Sequence, residues 1–304
     1  MVSHMSTPPI TSSSAETRDE LLMRSGRGYT KVRHVLCQRP DGHGSSVASV
    51  LGPMVTDRKR RSLQAYLLLI TVWPWLKNQA DPLSAAVWAR ALETATGRRW
   101  STTNVSEAWA DLKVRGLVET KRLSRGVVVT PRREDGKAAY TEPGEIKADF
   151  NETYFSLPQS FWTSEWFETL SMPGLAMLLI IASRTSAEGQ DETWLTNEDA
   201  GKWYRLSPRS IEGGIKELTD LGLVTERIEW VKAPLSAIGA TKRHWFSLNG
   251  DFSTTARLAM QDNARQERAA RIAKDKKPAK KAAAKKAVKK AGTKKVTTRV
   301  VKKK

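Results

Sequence analysis

From Leu63 to Leu76 the chain is apolar at nearly every position, interrupted by Gln64, Thr71 and Pro74. A helix of this kind has no polar face and belongs inside a fold. A second such run, Leu175 to Ala182, follows Ser171-Met172-Pro173, where Ser can cap and Pro sits in the first turn. Elsewhere the spacing turns amphipathic. Val105, Trp109 and Leu112 recur at intervals of four and three behind Ser101, and predict a capped helix running to Arg115. Ile211, Ile215 and Leu218 repeat the pattern behind Leu206-Ser207-Pro208-Arg209-Ser210, the strongest short helix-start signal in the chain. Shorter helices are predicted over 83–95, opened by Asp81-Pro82, and over 198–204, capped by Thr196 with Asp199 three residues on. Both amphipathic helices end alike. Asp111-Leu112-Lys113-Val114-Arg115-Gly116-Leu117-Val118 and Glu217-Leu218-Thr219-Asp220-Leu221-Gly222-Leu223-Val224 each stop at a glycine and enter a strand, 106 positions apart. Hairpins follow over 117–130, with a Ser124-Arg125-Gly126 turn, and over roughly 223–248.

A recognition helix passes into the first strand of a wing in this way. The pattern therefore predicts an α+β, mainly helical fold of two tandem winged helix-turn-helix domains, over 28–135 and 150–250. Residues 1–27 are polar and aperiodic and are expected to be disordered, although a short strand is expected from Gly28 to Arg33. The Pro- and Gly-containing stretch 136–149 reads as a linker, and an aromatic-rich strand and turn runs from Tyr154 to Phe167. Residues 251–273 read as a single solvent-exposed helix, and 274–304 as a disordered Lys/Ala-rich tail.

Charge changes the picture because it is uneven. The chain carries +19, but 274–304 hold fifteen Lys/Arg against one Asp, so that +14 lies in the tail and only +5 in the remainder. One cysteine, Cys37, excludes an internal disulfide, and with four scattered histidines it offers no zinc constellation. No signal peptide opens the chain and no run reaches membrane-spanning length, so a reducing cytoplasmic location near the nucleoid is expected.

The chemistry expected of recognition helices is to read base edges with the side chains of their first turns. Thr102, Thr103, Asn104 and Ser106 in the first copy, and Arg209, Ser210 and Lys216 in the second, are the candidate base or phosphate contacts. Short hydroxyls and amides suit close approach, and Arg suits bidentate pairing to guanine. Wing cations grip sugar-phosphate, with Arg122 and Arg125 at the first wing and Arg227, Lys242 and Arg243 at the second. Arg58-Lys59-Arg60-Arg61 reads either as a phosphate contact or as a solvated helix start. Most of the eleven tryptophans fall on core stripes or helix junctions rather than forming a base-stacking platform; Trp230 and Trp245 in the second wing are the two that this assignment does not settle. Tail residues Lys276, Lys277, Lys280, Lys281, Lys285 and Lys286 are expected to add sequence-independent, salt-sensitive grip by releasing counterions, a solubilising tail being the alternative. No phosphate loop or His-Glu-x-x-His is present, and four histidines, His4 and His43 among them in expected loops, give a Ser/His/Asp arrangement no support. A non-enzyme without metal, cofactor or small-molecule ligand is expected, its partners being double-stranded DNA and either a second copy of itself or other DNA-bound proteins.

The residues from Trp194-Leu195-Thr196 through Leu206-Ser207-Pro208-Arg209-Ser210 and Lys216-Glu217-Leu218 to Gly222-Leu223-Val224 resemble the winged-helix modules of bacterial plasmid and phage replication initiators, and helix-turn-helix regulators of the same shape. In such initiators two winged helices in tandem bind repeated origin sites. The likeness covers about 60–130 and 150–248, and the first copy departs from it with Gly97-Arg98-Arg99-Trp100 in place of Leu-Ser-Pro. The tail is similar to those of linker histones and of actinobacterial histone-like proteins. The resemblance implies sequence-specific DNA binding in replication initiation or transcriptional regulation. A nucleoid-architectural protein and a scaffold in chromosome or plasmid segregation are the alternatives.

Overall fold

Ser13 caps a helix where the sequence predicts disorder. The computed structural model describes residues 11–40, 46–144 and 150–271, and in it α1 spans Ser14–Ser25. Ser13 and Glu16 form a reciprocal capping box, and Gly26 closes the helix in the left-handed conformation at φ +69°. The expectation of disorder over 1–27 is thus corrected for this segment. Its physical reason is tertiary: Leu21 and Leu22 are buried against two later helices, and the buried Arg18 donates to the carbonyls of Ala91 and Glu93 and pairs with Glu165 at 2.6 Å. β1 (Tyr29–Arg33), the short pair β2 (Gln38–Pro40) and β3 (Ser46–Ala48), and α2 (Leu51–Thr56) follow.

The first helical set is α3 (Arg60–Leu76), α4 (Ala85–Leu92) and α5 (Thr102–Val114), with the hairpin β4 (Val118–Leu123) and β5 (Gly126–Pro131). Every residue of α3 from Ser62 to Val72 is buried, as a helix without a polar face requires. Two of its enclosed hydroxyls find partners: Tyr66 Oη donates to the Arg132 carbonyl at 2.8 Å and Thr71 Oγ1 to the Leu67 carbonyl at 2.6 Å. The helix predicted to open at Asp81-Pro82 starts later. Ser84 is its cap, accepting from Val87 N, while Asp81 pairs with Arg125 on the hairpin.

The second set is preceded by β6 (Tyr154–Pro158) and the single turns α6 (Ser160–Thr163) and α7 (Trp166–Thr169). It comprises α8 (Met172–Arg184), β7 (Thr193–Trp194), α9 (Asn197–Tyr204), α10 (Pro208–Asp220), and the hairpin β8 (Val224–Lys232) and β9 (Ala240–Leu248). Strand β7 pairs with β9, giving a three-stranded sheet in the order β7-β9-β8. In the first set the equivalent segment contains Pro82, which has no amide to donate, and the approach to the hairpin is made by the Asp81–Arg125 ion pair instead.

The ends of α5 and α10 match bond for bond. Gly116 N donates to Lys113 O and Leu117 N to Leu112 O; Gly222 N donates to Thr219 O and Leu223 N to Leu218 O. Both glycines are left-handed, at φ +73° and +70°. This doubly bonded end satisfies the last helical carbonyls and turns the chain into the first hairpin strand. The internal similarity seen at 106-residue spacing is therefore a repeat of the same local helix-end structure.

Two separate domains joined by a linker are not what forms. Residues up to Met260 make one compact unit. β1 pairs antiparallel with β6, from Tyr29 opposite Pro158 to Arg33 opposite Tyr154, so that the strand expected to open the first domain is completed by the second. The stretch expected as a linker over 136–149 is, as far as Gly144, folded in: Arg132 bridges to Ala139, Pro143 is buried, and Arg27 pairs with Glu142. At the centre the fully buried Arg33 holds Glu134 at 2.8 Å and Glu152 at 2.6 Å, and donates to the Thr141 carbonyl. Burial opposes its charge, but the two carboxylates more than offset this and raise the Arg33 pKa. Residues 145–149 lie outside the described residues.

The last described helix, α11 over 254–271, was expected to be solvent-exposed throughout. Its first turns are not. Thr254 and Arg257 are buried, and Arg257 donates to the Ala182 and Thr185 carbonyls at the end of α8. Residues 261–271 fall outside the compact unit ending at Met260, and there Arg265 pairs with Asp262 at 2.8 Å. Among the described residues no helix is long and apolar enough to cross a membrane.

Candidate nucleic-acid interface

The first turns of α5 and α10 are built by their caps. Ser101 accepts from Asn104 N, and the Asn104 amide oxygen accepts from Ser101 N at 3.2 Å. Asn104, a candidate base contact, is thereby held half-buried with one face committed to the cap. Thr102, Thr103 and Ser106 are exposed; the Ser106 hydroxyl donates back to the Thr102 carbonyl at 3.0 Å. On α10, Ser207 accepts from Ser210 N, and the two hydroxyls lie 2.9 Å apart. Arg209 is exposed, and no carboxylate pairs with it among the described residues. Lys216 is exposed and pairs with Asp220 at 2.7 Å, an i,i+4 contact of the kind solvent makes weak.

Two adjacent glycines divide the faces of α10. Gly214 packs so tightly on α8 that a Cβ would lie 2.6 Å from the Pro173 carbonyl. Gly213 has nothing within 4 Å of such an atom. One helical turn from Arg209 and three residues before Lys216, it leaves bare backbone on the exposed stripe, where a partner surface can come closer than any side chain allows.

The hairpin cations separate into groups that the sequence had run together. On the first hairpin Arg122 is exposed without a carboxylate partner among the described residues, while Arg125 pairs with Asp81 at 3.1 Å. On the second, strand alternation puts Lys242 and His244 on the face continued by the buried Val224, Phe246 and Leu248. Lys242 lies over the exposed Trp230 ring at 5.2 Å. Arg227 and Arg243 belong to the other face. They sit over Trp245 at 5.3 and 5.9 Å, Arg243 also covers Trp194 at 4.8 Å, and Arg227 pairs with Glu192 at 2.6 Å. Those hydrogen bonds hold the Glu192 carboxyl below its ordinary range. Trp245 is half-buried and its indole donates to Glu229, whereas Trp230 is 58% exposed. Trp88, Trp109 and Trp162 are buried in the core. The tail lysines from Lys276 to Lys286 lie outside the described residues.

Sequence reasoning missed where the basic cluster leads. Two clefts share Arg58, Arg60 and Arg98 on their walls. One extends along α5 to Asn104 and Glu107, and the other reaches Ser207, Arg209 and Ser210 at the start of α10. Arg60 is neutralised by Glu168 at 2.6 Å, whereas Arg58 and Arg98 are exposed, with no carboxylate paired to either side chain among the described residues. The Arg58–Arg61 run and the Arg98-Arg99 pair are visible in the sequence, but nothing in it brings them beside Arg209.

Among the described residues no three His, Cys, Asp or Glu side chains are grouped to hold a metal. Cys37 is buried and its thiol is pushed up to about 12 by desolvation, which leaves it a packing residue rather than a nucleophile. Against protein-family models, curated proteins and solved structures alike, the chain finds no match.

Proposed function

We propose that this chain is a non-enzymatic, sequence-specific double-stranded-DNA-binding protein whose two helical sets are winged-helix modules fused into one body. The observation that carries the reading is the pair of matched elements α5–β4–β5 and α10–β8–β9. Both helices end in the same doubly bonded glycine turn, both run into a hairpin, and both keep the outer side chains of their first turns in solvent. An exposed, capped helix start beside a cationic hairpin fits the major groove with phosphate contacts on its flank. Thr102, Thr103 and Ser106 on α5, and Arg209 and Lys216 on α10, are the exposed side chains that can reach bases or phosphates. Control of replication or of transcription at a plasmid, phage or chromosomal site is the use this supports, in the cytoplasm and on the nucleoid.

Selection from random duplexes by the full chain tests the reading. A defined sequence should emerge, and Arg209→Ala with Lys216→Ala should weaken binding to it by about 1–3 kcal/mol, measured with excess non-specific DNA present to occupy the tail. Selection of no sequence would sink it. It would favour the second reading, a nucleoid-architectural protein, which the concentration of +14 in residues 274–304 supports.

A further inference from the structure

The two clefts that meet at Arg58 and Arg98 lie between the first turns of α5 and α10. We infer that Arg58, Arg98 and Arg209 form one phosphodiester-binding site that seats the DNA backbone between the two helices, so that both helices read a single site at one fixed spacing. The inference rests on the DNA-binding reading above and adds to it a ligand position and a geometric constraint.

Charge supports it first. Of the cations along this strip, Arg60 is matched by Glu168, Lys59 lies 3.6 Å from Asp111, and Arg61 donates to the Arg99 carbonyl with its guanidinium over Trp100. Arg58, Arg98 and Arg209 remain in solvent with no carboxylate paired to them among the described residues. They come from the turn before α3, the turn before α5 and the first turn of α10, so three separate elements turn unmatched guanidinia onto one strip. A diester, bearing one charge and acceptor oxygens on each phosphate, matches such donors in chemistry.

Rigidity supports the second half. Nothing in the strip depends on a linker: β1 pairs with β6, α2 is in contact with both α3 and α8, and a Cβ on Gly52 of α2 would overlap the Tyr204 carbonyl at the end of α9. The two helix starts cannot adjust their separation to the DNA.

The test uses the full chain and the duplex it selects. Phosphates lying between the two half-sites should block binding when ethylated. With Arg58→Gln and Arg98→Gln, both exposed and outside the core, that interference should disappear. The salt slope of log affinity should fall by about 2, while the selected sequence stays the same. Inserting two to five base pairs between the half-sites should cost the wild-type chain at least tenfold in affinity. An unchanged interference pattern and slope in the double variant would overturn the phosphate site, and tolerance of the insertions would overturn the fixed spacing. Failure to select any sequence would remove the parent reading and this inference with it, a result separable from the other two.

Discussion

His34 shows how one side chain couples packing to pH. It lies in the short turn after β1, packed at 5.6 Å against the Phe155 ring with Nε2 3.3 Å from Ser186 Oγ. Burial drives its pKa down to about 4, opposed by a hydrogen bond that the ring gives to the Tyr154 backbone and helped by a smaller push from the Arg257 cation. The folded chain therefore holds the His34 proton less tightly than the unfolded chain does. Stability from the neutral ring is complete above pH 6.5 and drains away as the pH falls towards 4, by about 3 kcal/mol at most. His34→Gln should flatten the loss of urea stability between pH 7 and pH 4.5. An unchanged slope would assign that loss to carboxylates elsewhere. Arg257 is also buried, its pKa lowered to about 10 by desolvation, and among the described residues it is matched by carbonyl and hydroxyl oxygens rather than a carboxylate.

At the scale of elements, α10 is the most informative. Its apolar stripe of Ile211, Gly214 and Leu218 is buried, and its opposite stripe holds Arg209, Gly213 and Lys216 in solvent. Glycine in a helix interior costs about 1 kcal/mol relative to alanine. At Gly214 that cost secures close packing on α8, but at Gly213 no neighbour requires it. Gly213→Gln should therefore stabilise the fold by about 0.5–1 kcal/mol and, on the proposed DNA-binding reading, still weaken binding to the selected duplex several-fold, because side-chain bulk would stand where that reading brings the groove closest. Gly214→Ala should instead destabilise by about 1–3 kcal/mol through overpacking. Thermal unfolding and duplex titration of both variants check this; a Gly213→Gln chain that binds as well as the parent would remove α10 from the interface. This division was legible in advance, since Ile211, Ile215 and Leu218 mark one face at helical spacing. The split among second-hairpin cations was not. Arg227, Lys242 and Arg243 form one basic group in the sequence, and only the strand register puts Arg227 and Arg243 on Trp245 and Lys242 on Trp230.

For the whole molecule the decisive cluster is Arg33 with Glu134 and Glu152. It joins the end of β1, the segment following the first hairpin and the approach to β6, with all three side chains buried. Removing the cation would strand two carboxylates out of water, so Arg33→Met should cost about 3–5 kcal/mol. Because β1 and β6 tie the two helical sets together, residues up to Met260 should also lose structure in one step. Tryptophan fluorescence and far-ultraviolet circular dichroism should give coincident urea transitions, in the parent and in Arg33→Met at lower midpoint. Two resolved transitions would show that the helical sets fold independently.

Local pattern determined a good deal of this protein. Caps at Ser101, Thr196 and Ser207, the buried α3 and α8, the glycine turns at Gly116 and Gly222 and both hairpins follow from contacts within a few residues, and such contacts are written in residue spacing. The tertiary structure alone decided the rest. Polar, aperiodic residues before Ser25 become α1 because Leu21 and Leu22 find a core made more than forty positions later. A stretch that reads as a linker is drawn inside because Glu134 meets Arg33 across 101 positions. Arg58, Arg98 and Arg209 meet for the same reason. Burial and charge pairing between distant segments depend on which surfaces come together, and spacing along one chain holds no record of that.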